Sequence, residues 1–149
     1  MKITLLLAIS IIALPVASST VNAAEPLMFQ SVMRDLGKHM QTVTGAIAHE
    51  DWELVAKTAP LIAEHPQPPL TERMRIMSFI GSNMDKFKEF DTQTHEGAHE
   101  MEHAAIARNG VQVINAFQKV QTSCLQCHQA FRAPFVEHFY GNKPAAEGK

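Results

Sequence analysis

Cysteine is nearly absent from this sequence: two in 149 residues, both within the stretch Cys124-Leu125-Gln126-Cys127-His128. Two thiols allow at most one disulfide, and no second cysteine pair exists to complete a cysteine-built zinc site. Basic runs are missing too, which makes nucleic acid and anionic membrane surfaces poor partners. Beyond residue 16 no apolar run is long enough to span a bilayer, so no stable membrane insertion is expected. The chain also lacks a serine–histidine–acid pattern, a phosphate-cradling glycine loop, internal repeats and low-complexity tracts.

The N-terminus has the form of an export signal. Lys2 supplies a positive charge, Ile3 to Val16 is almost wholly apolar, and Val21-Asn22-Ala23 closes with small residues. Residues 1–23 are therefore expected to be a cleaved signal peptide. Cleavage after Ala23 leaves 126 of the 149 residues, 24–149, as one domain in the oxidising periplasm. Loss of Lys2 leaves 12 basic residues against 15 acidic ones, a net charge of −3.

The mature part shows helical periodicity and no convincing strand. Phe29, Val32, Met33, Leu36, Met40, Val43 and Ile47 recur at the spacing of one buried helix face, from about Pro26 to Ala48. Asp51 caps a second helix, expected to run to about Glu64, with Trp52, Val55, Ala59 and Ile62 inward and Pro60 as a kink. His65-Pro66-Gln67-Pro68-Pro69 must be a connection. Thr71 caps a third region, with Met74, Met77, Ile80, Met84 and Phe87 at helical spacing and Gly81-Ser82 interrupting it. That helix continues, or restarts near Asp91, as far as Arg108, where Asn109-Gly110 gives a stop.

A fourth helix is predicted over residues 111–132, with Val113, Phe117, Val120, Cys124, Cys127, His128 and Phe131 on its inner side, ended by Ala133-Pro134. Phe135 to Tyr140 is apolar enough to dock back, and residues 141–149 form a polar tail. Short connections between amphipathic helices predict an all-α, antiparallel four-helix bundle.

Cys-x-x-Cys-His is the attachment pattern of c-type haem. Thiols three residues apart on a helical turn can reach the two vinyl groups as thioethers, and His128 then projects over the iron as proximal ligand. A thioredoxin-like pair would instead want a strand–helix setting and a helix N-terminus, which this late position in a helical chain does not offer. One covalent haem c per chain is the expectation.

With the motif on the last helix, the chain resembles the cytochrome c′ family, the class II cytochromes c, including their low-spin, methionine-ligated relatives. The matching residues are Cys124-x-x-Cys127-His128-x-x-Phe131-Arg132, with a weaker match at Met33-Arg34-Asp35-x-Gly37-Lys38-x-Met40. The resemblance covers essentially the whole mature chain. It implies a role for Arg132, beside the proximal imidazole and near a propionate; a cation favoured at a helix C-terminus is the plainer reading. The short proline-rich connection and the apolar extension after the motif depart from the pattern. Members often form homodimers, but no residue here fixes an interface.

Position on the first helix selects a second iron ligand. With Phe29 as zero, Met33 lies at about 40° and Met40 at about 20° from the inner stripe, whereas Met28 and His39 lie about 100° and 80° off. In an antiparallel bundle the start of the first helix faces the end of the fourth, and Met40 is roughly 10 Å too deep. Met33 is therefore the candidate distal ligand, as the resemblance also implies; the competing reading is that it merely packs over an open iron face.

The remaining polar and apolar clusters have simpler readings. His95, His99 and His103 are spaced for a shared metal ion, but the apolar stripe of Thr94, Ala98, Met101 and Ala105 centres about 130° from His99. A solvated face is expected there. Met74, Met77, Met84 and Met101 read as core filler, Trp52 as a core aromatic, and His39, His49 and His65 show no partner pattern.

Two functions follow. With Met33 bound, the protein is a one-electron carrier serving periplasmic redox proteins. With an open face it captures a small gas such as NO or CO. An enzyme is not expected, because the first helix puts no histidine or arginine on its inner stripe for distal acid–base work.

Overall fold

A computed structural model describes residues 27–141; the leader predicted over 1–23 and the tail after residue 141 lie outside them. Within those residues the chain is helical with no strand. The helices are α1 (Met28–Ala48), α2 (Trp52–Ala63), α3 (Leu70–Ile80), α4 (Met84–Ile106), α5 (Gly110–Cys127) and α6 (Ala133–Tyr140). A short 3₁₀ turn, Gly81–Asn83, joins α3 to α4, and a π-turn, His128–Arg132, joins α5 to α6. Four rods result, an antiparallel four-helix bundle as the periodicity predicts. None of the described helices is long and apolar enough to cross a membrane.

The helix boundaries follow local chemistry. Asp51 accepts the Leu54 amide at 3.0 Å and caps α2 as predicted. Gly81 takes φ 57° and ψ −128°, a conformation open to glycine, so the predicted interruption falls there and the helix restarts at Met84. Arg108 turns the chain after α4 with φ 53°, which frees the Asn109 side chain to cap α5 by accepting the Gln112 amide at 3.2 Å.

Several expectations are corrected. The first helix starts at Met28 rather than Pro26, and Thr71 is no cap because α3 already begins at Leu70. Met74 and Met77 are not core: they are 58% and 45% exposed, while Ile76 and Ile80 carry the buried face of α3. The two isoleucines stand four residues apart, so the inner stripe is narrower than the methionine spacing suggested. Ala133-Pro134 does not end the last helix either. Ala133 keeps helical angles, φ −63° and ψ −54°, and the widened π-turn lies just before the proline that has no amide to donate. Burying Phe135 contributes about 1.5–3 kcal/mol, of the same order as the roughly 3 kcal/mol cost of an interior proline.

Two cores stabilise the bundle. The larger is aliphatic: Val43, Val55, Ala59, Ile62, Ala98, Met101, Val113 and Val120 are among its buried members, with Leu36, Trp52 and Cys124 packed against it. Gly97 allows α4 and α5 to approach, since a Cβ there would stand 3.0 Å from Val120 Cγ2. The other is aromatic and lies at the opposite end. Leu27, Ile76, Ile80 and Phe135 are its buried members, with Phe29, Phe79, Phe87, Phe131 and Phe139 around them. α1 packs on α2, α2 on α4 and α4 on α5, whereas α1 and α5 barely touch.

Candidate functional site

The haem-attachment motif crosses the junction between these cores. Cys124 packs against the aliphatic core and Phe131 against the aromatic one, so Cys127 and His128 fall between them. The same division appears on α1, where Leu36 joins the first core, Phe29 joins the second, and half-buried Met33 lies between. Aromatic contacts set the level. Phe29 meets Phe135 at 5.3 Å between ring centroids, and Phe87 bridges Phe29 at 6.4 Å to Phe131 at 5.5 Å. Counting four residues inward from Phe29 and from either Phe131 or Phe135 brings Met33 to the level of residues 127–131. Met40 sits about 10 Å further along, buried in the aliphatic core.

The two thiols are free and half-buried. Burial raises the pKa of Cys124, while hydrogen bonding from Thr94 works the other way. Burial pushes Cys127 up to about 11, with smaller contributions from the charges of Cys124 and Asp91. A redox-active pair needs a lowered thiol pKa, so these shifts run against thioredoxin-like chemistry. His128 is exposed rather than on the inner side as predicted: its backbone is α-helical, φ −64° and ψ −40°, and eight residues on from buried Val120 it falls about 80° round the helix, at the edge of the inner stripe. Partial burial of its ring, then the Arg132 charge, lower its pKa. A neutral imidazole with a free lone pair is what a metal ligand requires. Arg132 is exposed, and its charge acts on the His128 ring.

A buried polar contact next to the motif escaped the sequence reading. Ser123 is 1% exposed, and its hydroxyl meets that of Thr94 at 2.7 Å. Each hydroxyl also lies 2.9 Å from a carbonyl of its own helix, Phe90 for Thr94 and Val120 for Ser123. With one proton each, one hydroxyl donates to the other and the second donates to its carbonyl. This ties α4 to α5 one residue before Cys124. An alternating small–polar pattern gives no advance sign of it, since the partner is far away in sequence.

The predicted histidine ladder does not act as a unit. Thr94, Ala98, Met101 and Ala105 are buried as expected, and His103 is exposed. His99 Nδ1 lies 3.5 Å from Glu102. His95, however, turns toward Asp91 and toward His65 in the proline-rich connection, with His rings 5.0 Å apart.

A helical bundle with Cys-x-x-Cys-His on its last rod, straddling two cores opposite a half-buried methionine, defines a haem-binding cytochrome of the bundle class. The family model that matches is Cytochrome C′, over residues 27–132, and the chain belongs to that family. No curated protein matches the chain. The residues at the junction fit the group the family carries: two thiols on one helical turn, a neutral imidazole one residue on, and apolar walls on both sides. The loosely joined α1–α5 side is compatible with a flat macrocycle lying between those helices.

Proposed function

We propose that the protein is an exported monohaem c-type cytochrome that carries single electrons between periplasmic redox proteins. Cys124 and Cys127 would hold the haem as thioethers, with His128 and Met33 as the ligands of its iron. The observation that carries this reading is the common level of Met33 and His128 at the junction of the aliphatic and aromatic cores. The haem supplies the one-electron chemistry, and a histidine–methionine ligand pair favours a raised potential.

The chain's own residues do the rest. The raised thiol pKa values keep Cys124 and Cys127 protonated and unreactive before attachment. Arg132 helps hold His128 neutral, and the two cores exclude water from either side. Export rests on the leader predicted over residues 1–23. The net charge of −3 after its removal, made more negative by propionates, suits electropositive partner surfaces.

Protein matured with a cytochrome c assembly system tests this directly. Haem should remain after acid–acetone extraction, the pyridine haemochrome should indicate two thioethers, and the ferric spectrum should be low-spin. Extractable haem would defeat covalent attachment. A high-spin protein that binds CO or NO without mutation would move the reading to gas capture.

A further inference from the structure

Apart from the motif, three donor side chains converge where the connection between α2 and α3 lies against α4. His65 Nε2 stands 3.5 Å from Asp91 Oδ1, and His95 Nε2 stands 3.6 Å from Asp91 Oδ2. The three donor atoms lie within 4.8 Å of one another. We propose that His65, Asp91 and His95 form a binding site for a divalent transition metal of the zinc class, with water completing the coordination.

Four observations support the site. The His65 side chain is 9% exposed, although it belongs to a polar, proline-rich connection. His95 Nε2 is buried without a hydrogen-bond partner, a loss of roughly 1–3 kcal/mol that a metal ion would offset. Both histidine–aspartate distances are long for hydrogen bonds, which centre near about 2.9 Å. A tetrahedral zinc with bonds of about 2.0–2.1 Å holds its ligand atoms about 3.3–3.4 Å apart, a spacing that each imidazole nitrogen approaches to a different Asp91 oxygen. Finally, His65 Nδ1 faces the Pro66 carbonyl at 3.4 Å. A proton there leaves the Nε2 lone pair free toward Asp91, the backing arrangement that metal-bound imidazoles use.

Ligand chemistry selects the ion. Two imidazole nitrogens and one carboxylate match zinc and its neighbours, while calcium and magnesium take oxygen donors. The second half of the ladder contributes nothing, because His99 faces Glu102 and His103 is exposed. A bound ion would pin the proline-rich connection to α4 through His65, Asp91 and His95. The site is independent of whether the haem carries electrons or captures gas.

The test uses haem-loaded protein stripped with EDTA and titrated with Zn²⁺ by calorimetry. One saturable equivalent per chain is expected, together with a raised thermal midpoint. His65→Gln and His95→Gln should each weaken binding at least about tenfold without altering the haem spectrum, and His103→Gln should leave binding unchanged. Cu²⁺ in the wild-type protein, read by electron paramagnetic resonance, should show hyperfine coupling to two imidazole nitrogens, a result that does not depend on any variant folding. Absence of saturable binding, a copper signal without two nitrogens, or affinity that survives both His65→Gln and His95→Gln would overturn the proposal.

Discussion

The Glu72 carboxylate accepts the Phe29 amide at 2.7 Å and the Met28 amide at 2.8 Å, so a side chain of α3 caps the start of α1. The first amides of a helix have no partner inside it; the Leu27 carbonyl accepts the Gln30 amide at 3.0 Å, but Leu27 has no capping side chain and the first turn of α1 has no acidic residue to serve Met28 and Phe29. Because Met33 stands one turn beyond this cap, Glu72 fixes the entry of the helix that carries the proposed iron ligand. Glu72→Ala should cost about 1 kcal/mol in denaturant unfolding of the holoprotein, and Glu72→Gln less. Equal stability of all three proteins would show that the cap is not energetically relevant.

Met33 should control the spin state. Wild-type ferric protein is expected to show the methionine–sulfur charge-transfer band. Met33→Ala should lose it, become high-spin and take up CO in the ferrous form, whereas Met40→Leu should keep the wild-type spectrum. The reverse pattern would place the iron deeper in the bundle than the aromatic contacts allow.

Glycines in two helices should respond oppositely to alanine. A Cβ at Gly45 meets nothing within 4 Å, so Gly45→Ala should stabilise by up to about 1 kcal/mol through helix propensity. At Gly97 the same change meets Val120 at 3.0 Å, and a backbone nitrogen at 3.4 Å leaves little room to yield. Gly97→Ala should therefore gain nothing, and Gly97→Leu should lose about 1–3 kcal/mol. Thermal melts of the three variants make the comparison.

The His65–Asp91 contact should make metal-free stability depend on pH. The Asp91 carboxylate beside His65 raises the His65 pKa against the opposing effect of burial, and the same contact lowers that of Asp91. A raised histidine pKa stabilises below the unfolded value near about 6.5 and fades as pH rises through the folded value. A lowered aspartate pKa stabilises above its unfolded value near about 3.9 and fades as pH falls through the folded one. Both contributions coexist between those unfolded values. In EDTA, His65→Gln should lower the melting temperature more at pH 5.5 than at pH 8.5; equal losses would show that the ion pair contributes nothing.

Local chemistry made much of this legible in the sequence. The Asp51 cap, the Gly81 break and the buried stripe of Thr94, Ala98, Met101 and Ala105 depend on near neighbours and on helical period, and each stands where predicted. Cys124, Cys127 and His128 stood out as the candidate site because their spacing carries its own chemistry. What the sequence hid depends on distant partners. Glu72 reads as an ordinary first-turn acid until α1 meets it, and His65 has no visible role until the connection folds onto Asp91. Met74 and Met77 misled because apolar spacing cannot say whether a neighbouring helix covers it.

The π-turn at His128–Arg132 makes chain length itself a structural variable. Insertions and deletions usually collect in loops, but here the number of peptide units between His128 and Ala133 sets where every later side chain points. One residue fewer would swing α6 by roughly 100°, carrying Phe135 away from Phe29 and Phe79, which it now meets at 5.3 Å and 5.7 Å. The aromatic end of the molecule would then lose its central ring without any aromatic residue being changed.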